Sequence, residues 1–157
     1  MRLLAVLPAV GLFLLISANP LAQSNKLPAP SSFVSDFAGV VDSPTKSRLE
    51  SLLSKLKEKS NIELYVATVE NTGDQQMSAF SRQLARDWNI GTTTNRSKSL
   101  LLVVCSGSKS SFTQMSRNAQ LALPEGILGE ISYRMNGPLT DGRFAEATGE
   151  GHGYPES

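Results

Sequence analysis

The sequence is poor in the side chains on which cross-linked and many catalytic domains depend. One cysteine, Cys105, stands among 157 residues, so no intramolecular disulfide can form and stability has to come from a packed core. One histidine, His152, lies among glycines near the C-terminus. That excludes a zinc cluster of several imidazoles and a histidine-based triad set on a packed core. An excess of charge is missing as well. Fifteen Lys+Arg stand against 14 Asp+Glu, and removing Arg2 with the leader described below leaves 14 of each. Such a balance argues against a nucleic-acid partner and against a polybasic membrane-binding face. No EF-hand spacing is present, and "CSGSKSS" (105–111) has the pattern of neither a P-loop nor a nucleophile elbow. No internal repeat of useful length is visible.

The longest apolar run is "LLAVLPAVGLFLLI" (3–16), behind Met1-Arg2 and ahead of small residues. This is the layout of a secretory signal peptide, here over 1–24, with the mature start near residues 23–25. The run is shorter than a membrane span normally requires, so the mature chain is expected to be exported, periplasmic or secreted, with no membrane span. No cysteine follows the run, which excludes lipid attachment through one there. "SNKLPAPSS" (24–32) has two prolines and several small polar residues; it reads as an extended linker over 25–32, with a folded domain over 33–148 and a tail over 149–157.

Inside the domain, helix and strand patterns alternate. Ser43-Pro44 reads as an N-cap followed by proline at the first helical position. Leu49, Leu52, Leu53 and Leu56 then form one stripe at helical spacing, with lysines and interleaved glutamates on the solvated faces. "IELYVATVE" (62–70) reads as a strand. Asp74 is placed to cap a second helix, with Met77, Phe80, Leu84 and Trp88 on one side and its end at Asn89-Ile90-Gly91. The polar "TTTNRSKS" (92–99) reads as a loop. "LLLVVCS" (100–106) lacks alternation, as a strand covered on both faces does, and "FTQMS" (112–116) is a further strand. Pro124 opens a third helix carrying Ile127, Leu128, Ile131 and Met135, which ends at Asn136-Gly137-Pro138. The order predicts a single α/β domain: a three-layer mixed β-sheet flanked by helices on both faces.

"VSDFAGVVDSPTKSRLESLL", "VATVE", "FSRQLARDWNIG", "LLLVV" and "LPEGILGEI", in that order, resemble the TPM domain. The family takes its name from a plant thylakoid-lumen phosphatase, a photosystem II repair protein and an acetylcholine-receptor auxiliary protein. The resemblance covers about residues 33–146. Asp36, Gly39 and Val40 match the family's Asp-x-Ala-Gly-Val opening motif. Trp88, Ile90 and Gly91 match its Trp-x-Ile-Gly helix end, and Leu123-Pro124-Glu125 its Leu-Pro-Asp. Three stretches depart from it: Ser97-Lys98-Ser99 stands for an Asp/Lys-Asn-Gly turn, "SRNAQLA" (116–122) for a glycine-rich acidic stretch, and "GEGHGYPES" for the start of a last helix.

The resemblance implies two functional readings: an exported interaction or maintenance module with unidentified cell-envelope protein partners, or a weak metal-dependent acid phosphatase acting on phosphomonoesters, with calcium as candidate cofactor. The second needs carboxylates and cations that converge. Asp36, Asp42, Asp87, Glu125 and Asp141 fall in loops or at helix ends, which in layered α/β folds gather beside strand ends. Asp36 is the candidate metal ligand, against a simpler role in a backbone turn. Asp42 belongs to the turn before the first helix, and Glu125 suits a helix N-terminus. Arg82, Arg86 and Arg117 are the candidate phosphate-holding cations. Cys105 is expected to be inert packing and Trp88 a core anchor, and no covalent nucleophile stands out.

Overall fold

The computed structural model describes residues 26–91 and 97–144. The leader over 1–24, most of the polar loop before "LLLVVCS", His152 and the tail over 149–157 lie outside the described residues. In chain order the elements are β1 (Val34–Asp36), α1 (Ser43–Ser60), β2 (Ile62–Val69), α2 (Met77–Asp87), β3 (Lys98–Cys105), β4 (Ser110–Met115), α3 (Arg117–Ala122) and α4 (Ile127–Thr140). The strands form one sheet in the order β1-β2-β3-β4. β1, β2 and β3 are parallel, and β4 is antiparallel to β3. The α/β fold with a mixed sheet therefore stands as expected.

The sheet carries a core on each face because alternate residues of a strand point to opposite sides. Val34, Val66, Leu102 and Val104 meet Leu49 and Leu53 of α1 on one face. Ala67, Val69, Leu101, Val103 and Cys105 meet Leu84, Ala85 and Trp88 of α2 on the other. The unbroken run of β3 supplies both cores, which is why it shows no alternation. β1, β2 and β3 step across the sheet in sequence order, while α1 and α2 cover opposite faces. Two crossovers that step the same way over opposite faces have opposite hands. One of them therefore departs from the right-handed rule that governs nearly all such connections.

Several local expectations are corrected. Asp42, not Ser43, caps α1: its carboxylate accepts the Thr45 N–H at 2.9 Å and the Thr45 hydroxyl at 2.9 Å. These bonds favour the charged form and hold the Asp42 carboxyl below its ordinary value. Leu52 is half exposed, so the stripe that packs is Leu49, Leu53 and, partly, Leu56. Asp74 caps nothing; α2 begins at Met77 behind Gln76, which makes no side-chain cap bond. Asn89 is the first left-handed residue after α2 and Gly91 the second. At Gly91 a Cβ would stand 2.8 Å from the Ser116 Cβ, so close approach as well as backbone conformation calls for glycine there.

The stretch "SRNAQLA" forms the short helix α3 behind Ser116. The Ser116 hydroxyl accepts the N–H of Ala119 at 3.2 Å and of Ser99 at 3.0 Å, so one side chain both starts α3 and ties it to β3. α4 starts at Ile127 and not at Pro124, and it continues through Gly137 and Pro138 to Thr140. Pro138 lies in the last turn, where its missing N–H costs the helix one i→i−4 bond and interrupts no longer run of ladder beyond it, and its carbonyl still accepts the Arg143 N–H at 2.8 Å.

Glu50, which in sequence reads as one of several solvated charges, performs a specific task. Its carboxylate accepts the N–H of Phe33 at 3.0 Å and of Val34 at 2.7 Å, joining the middle of α1 to the start of β1. Lys57 pairs with Glu63 at 2.8 Å, and that bond raises the Lys57 amine above its usual value. Replacing Glu50 by alanine leaves two strand amides without their charged acceptor. The expected loss is about 2 kcal/mol, read as a lower urea midpoint with an unchanged slope; an unchanged midpoint contradicts the role assigned to Glu50.

Candidate functional site

The site begins where β1 ends. Asp36 Oδ1 accepts the Val40 N–H at 3.1 Å and Oδ2 accepts the Val41 N–H at 3.0 Å. The buried Thr68 hydroxyl, on β2, donates to Oδ1 and accepts the Ala38 N–H at 3.2 Å. The Phe37 N–H donates to the Thr68 carbonyl at 3.1 Å. Gly39, at φ +66°, lets the chain double back so that two consecutive amides reach one carboxylate. The aspartate of the opening motif is thus the hub of a folded loop pinned across the ends of β1 and β2.

That arrangement does not fit a calcium ion at Asp36. Calcium takes six to eight oxygens, whereas both Asp36 oxygens already face N–H or O–H donors. No group of three or more His, Cys, Asp or Glu among the described residues could hold a metal.

Beside the loop lies a cleft of about 1090 Å³. β1 leads to α1 on one face and β2 to α2 on the other, so the chains diverge between the carboxyl ends of these two strands. Such a point is where open α/β sheets present a crevice. Phe37 forms one wall, Val69 to Gly73 the second, and Phe80, Gln83, Leu84 and Asp87 of α2 the third. Phe37 leans on Trp88 with ring centroids 6.2 Å apart, which backs the cleft with aromatic surface. Asp87 accepts from Gln83 Nε2 at 3.0 Å and lies 4.0 Å from Lys26 Nζ. Lys26 and Leu27 line the cleft too, and Leu27 packs against the α2-side core.

Of the five carboxylates expected to converge, only Asp87 lines the cleft. Asp36 is built into the loop beside it, and Asp42 caps α1. Glu125 is exposed ahead of α4, and Asp141 pairs with Arg143 at 2.9 Å beyond it. Arg82 and Arg86 border a smaller hollow, of about 270 Å³, between α2 and the end of β4. Arg86 is held by Gln83 Oε1 at 2.6 Å. Arg117 does not line that hollow. Cys105 is buried, with its Sγ 3.4 Å from the Glu70 carbonyl, and Trp88 is buried in the core, both as expected. The residue that sequence reasoning missed is Glu70. It ends "VATVE", and the rule that crevices form at strand carboxyl ends would have found it.

A single α/β domain with a crevice at the carboxyl ends of two parallel strands is the class that these features define. The TPM-domain family model matches residues 34–152, and the chain belongs to the TPM-domain family. No curated protein matches the chain. Among solved structures, the N-terminal domain of a protein from P. gingivalis is similar at 27% identity, with 73% of each chain covered and a TM-score of 0.66. The N-terminal domain of the cg2496 protein from Corynebacterium glutamicum shares the fold at 13% identity and a TM-score of 0.62, covering 82% of this chain and 78% of its own. The BA42 protein from Bizionia argentinensis does so at 9% identity and 0.59, covering 69% and 73% respectively.

If Asp36 and Thr68 act as one unit, their removal is non-additive. Asp36→Ala and Thr68→Val should each cost about 1–3 kcal/mol, and the double variant should fall short of their sum by at least about 0.5 kcal/mol in chemical denaturation. Additive losses would contradict the clamp.

Proposed function

We propose that the protein is an exported TPM-domain binding module, serving interaction or maintenance in the cell envelope, with the β1–β2 cleft as its working surface. The observation that carries this reading is the division of labour at the strand ends. The family's aspartate is committed to loop construction, while the cleft beside it offers aromatic walls, amide side chains and two carboxylates. That surface is suited to recognition: apolar walls provide contact area, and a few polar groups fix orientation. Among the described residues that line it there is no histidine or cysteine, and its Thr72 hydroxyl donates to the Gln75 carbonyl at 2.7 Å. Export is supported by the charged start, short apolar run and small-residue exit of the first 24 residues.

The family takes its name in part from a phosphatase, so the second reading is metal-dependent hydrolysis of phosphomonoesters at the same edge. The two readings part in one assay. Protein recovered from the periplasm or medium, starting near residues 23–25, is expected to release no phosphate from a phosphomonoester with calcium, magnesium or chelator. Metal-dependent release that disappears in a Glu70→Gln/Asp87→Asn variant with unchanged circular dichroism would overturn the binding reading.

A further inference from the structure

The cleft is already in contact with a peptide, and the peptide is part of this chain. Residues 26–30 have no regular secondary structure, and they place Lys26 and Leu27 at the cleft. Lys26 offers its ammonium to Asp87, and Leu27 adds an aliphatic side chain to the core behind Phe80 and Trp88. We propose that the cleft is a docking site for an extended peptide of a partner protein in which a basic residue precedes an aliphatic one, and that Lys26-Leu27 occupies this site in cis. The inference rests on the binding reading above and names the chemistry of the partner.

Three observations carry it. The first is charge: Glu70 and Asp87 both line the cleft, and among the described residues Lys26 is the one basic residue lining it. Glu70 has no side-chain partner among the described residues, so a second positive group is accommodated without displacing a bond. The second is how loosely the strap is held. Lys26 stands 4.0 Å from Asp87, and its side chain is 62% exposed. Ion pairs at such exposed positions contribute little, so the strap is displaceable by a better ligand. The third is room and shape. With Lys26 and Leu27 at its lining the cleft still leaves about 1090 Å³ open, and Phe37 remains 38% exposed at its wall. An aromatic face beside carboxylates receives a lysine or arginine through both its charge and its alkyl stem.

A tethered strap competes at high effective concentration, so releasing it should unmask the site. The probe is a fluorescein-labelled peptide of sequence SNKLPAP, with SNELPAP as its charge-reversed control, titrated in fluorescence anisotropy against the intact protein. Lys26→Ala/Leu27→Ser protein should bind SNKLPAP at least tenfold more tightly than the unaltered protein does. It should discriminate against SNELPAP by a similar factor. A second variant needs no strap release: Asp87→Lys protein should reverse the preference and favour SNELPAP. Equal affinities for the two peptides, no gain on strap release in protein with native circular dichroism, or no reversal in Asp87→Lys would each overturn the inference. Peptide failure combined with no phosphate release leaves the binding reading standing and removes only the ligand assigned here. Metal-dependent phosphate release removes the binding reading itself.

Discussion

A carboxylate that accepts two consecutive amide protons and a threonine hydroxyl fixes where the first strand stops, and the rest of the molecule is arranged around that point. Without the bonds from Val40, Val41 and Thr68 to Asp36, the loop over 37–41 would leave the Val40 and Val41 amides to water. With them, the loop lies across β2 and delivers Asp42 as the cap of α1. The strand before the hub is secured from the other end by Glu50, whose carboxylate holds the amides of Phe33 and Val34. β1 has only three residues, too few for ladder bonds alone to hold it, and two half-buried carboxylates supply what its length does not.

The same hub places the cleft. Because α1 and α2 leave β1 and β2 on opposite faces, the sheet opens between the carboxyl ends of those strands. Phe37, one residue beyond Asp36, becomes a wall of that opening, and Glu70, one residue beyond β2, becomes another. Construction and recognition are therefore adjacent in sequence and separate in role.

Much of the fold was legible because it rests on strong local patterns. The run "LLLVVC" reads as a strand buried on both faces, and Met77, Phe80, Leu84 and Trp88 as one face of a helix, and both are so in the structure. What escaped reading depends on long-range partners. Asp42 and Ser43 are equally good caps in sequence; only the folded loop puts Asp42 at the cap position. "SRNAQLA" lacks a strong apolar stripe, and its helix exists because Ser116 is held by β3. At the site, Asp36 was found with both roles open, ion ligand or turn residue, since an aspartate near glycine looks alike whether it awaits an ion or two amides; the folded loop shows the amides. Glu70 and the Lys26-Leu27 strap come together only through the parallel pairing of β1 with β2 and the packing of Leu27 behind the cleft.

Asp36 builds the loop from protein donors alone. Amide hydrogen exchange at Val40 and Val41, measured by NMR in chelator-treated protein, checks this. Both amides should exchange as slowly as those of β2 and β3, with no change when calcium is added. Exchange at the rate of an exposed loop, or protection that appears only with calcium, would contradict it.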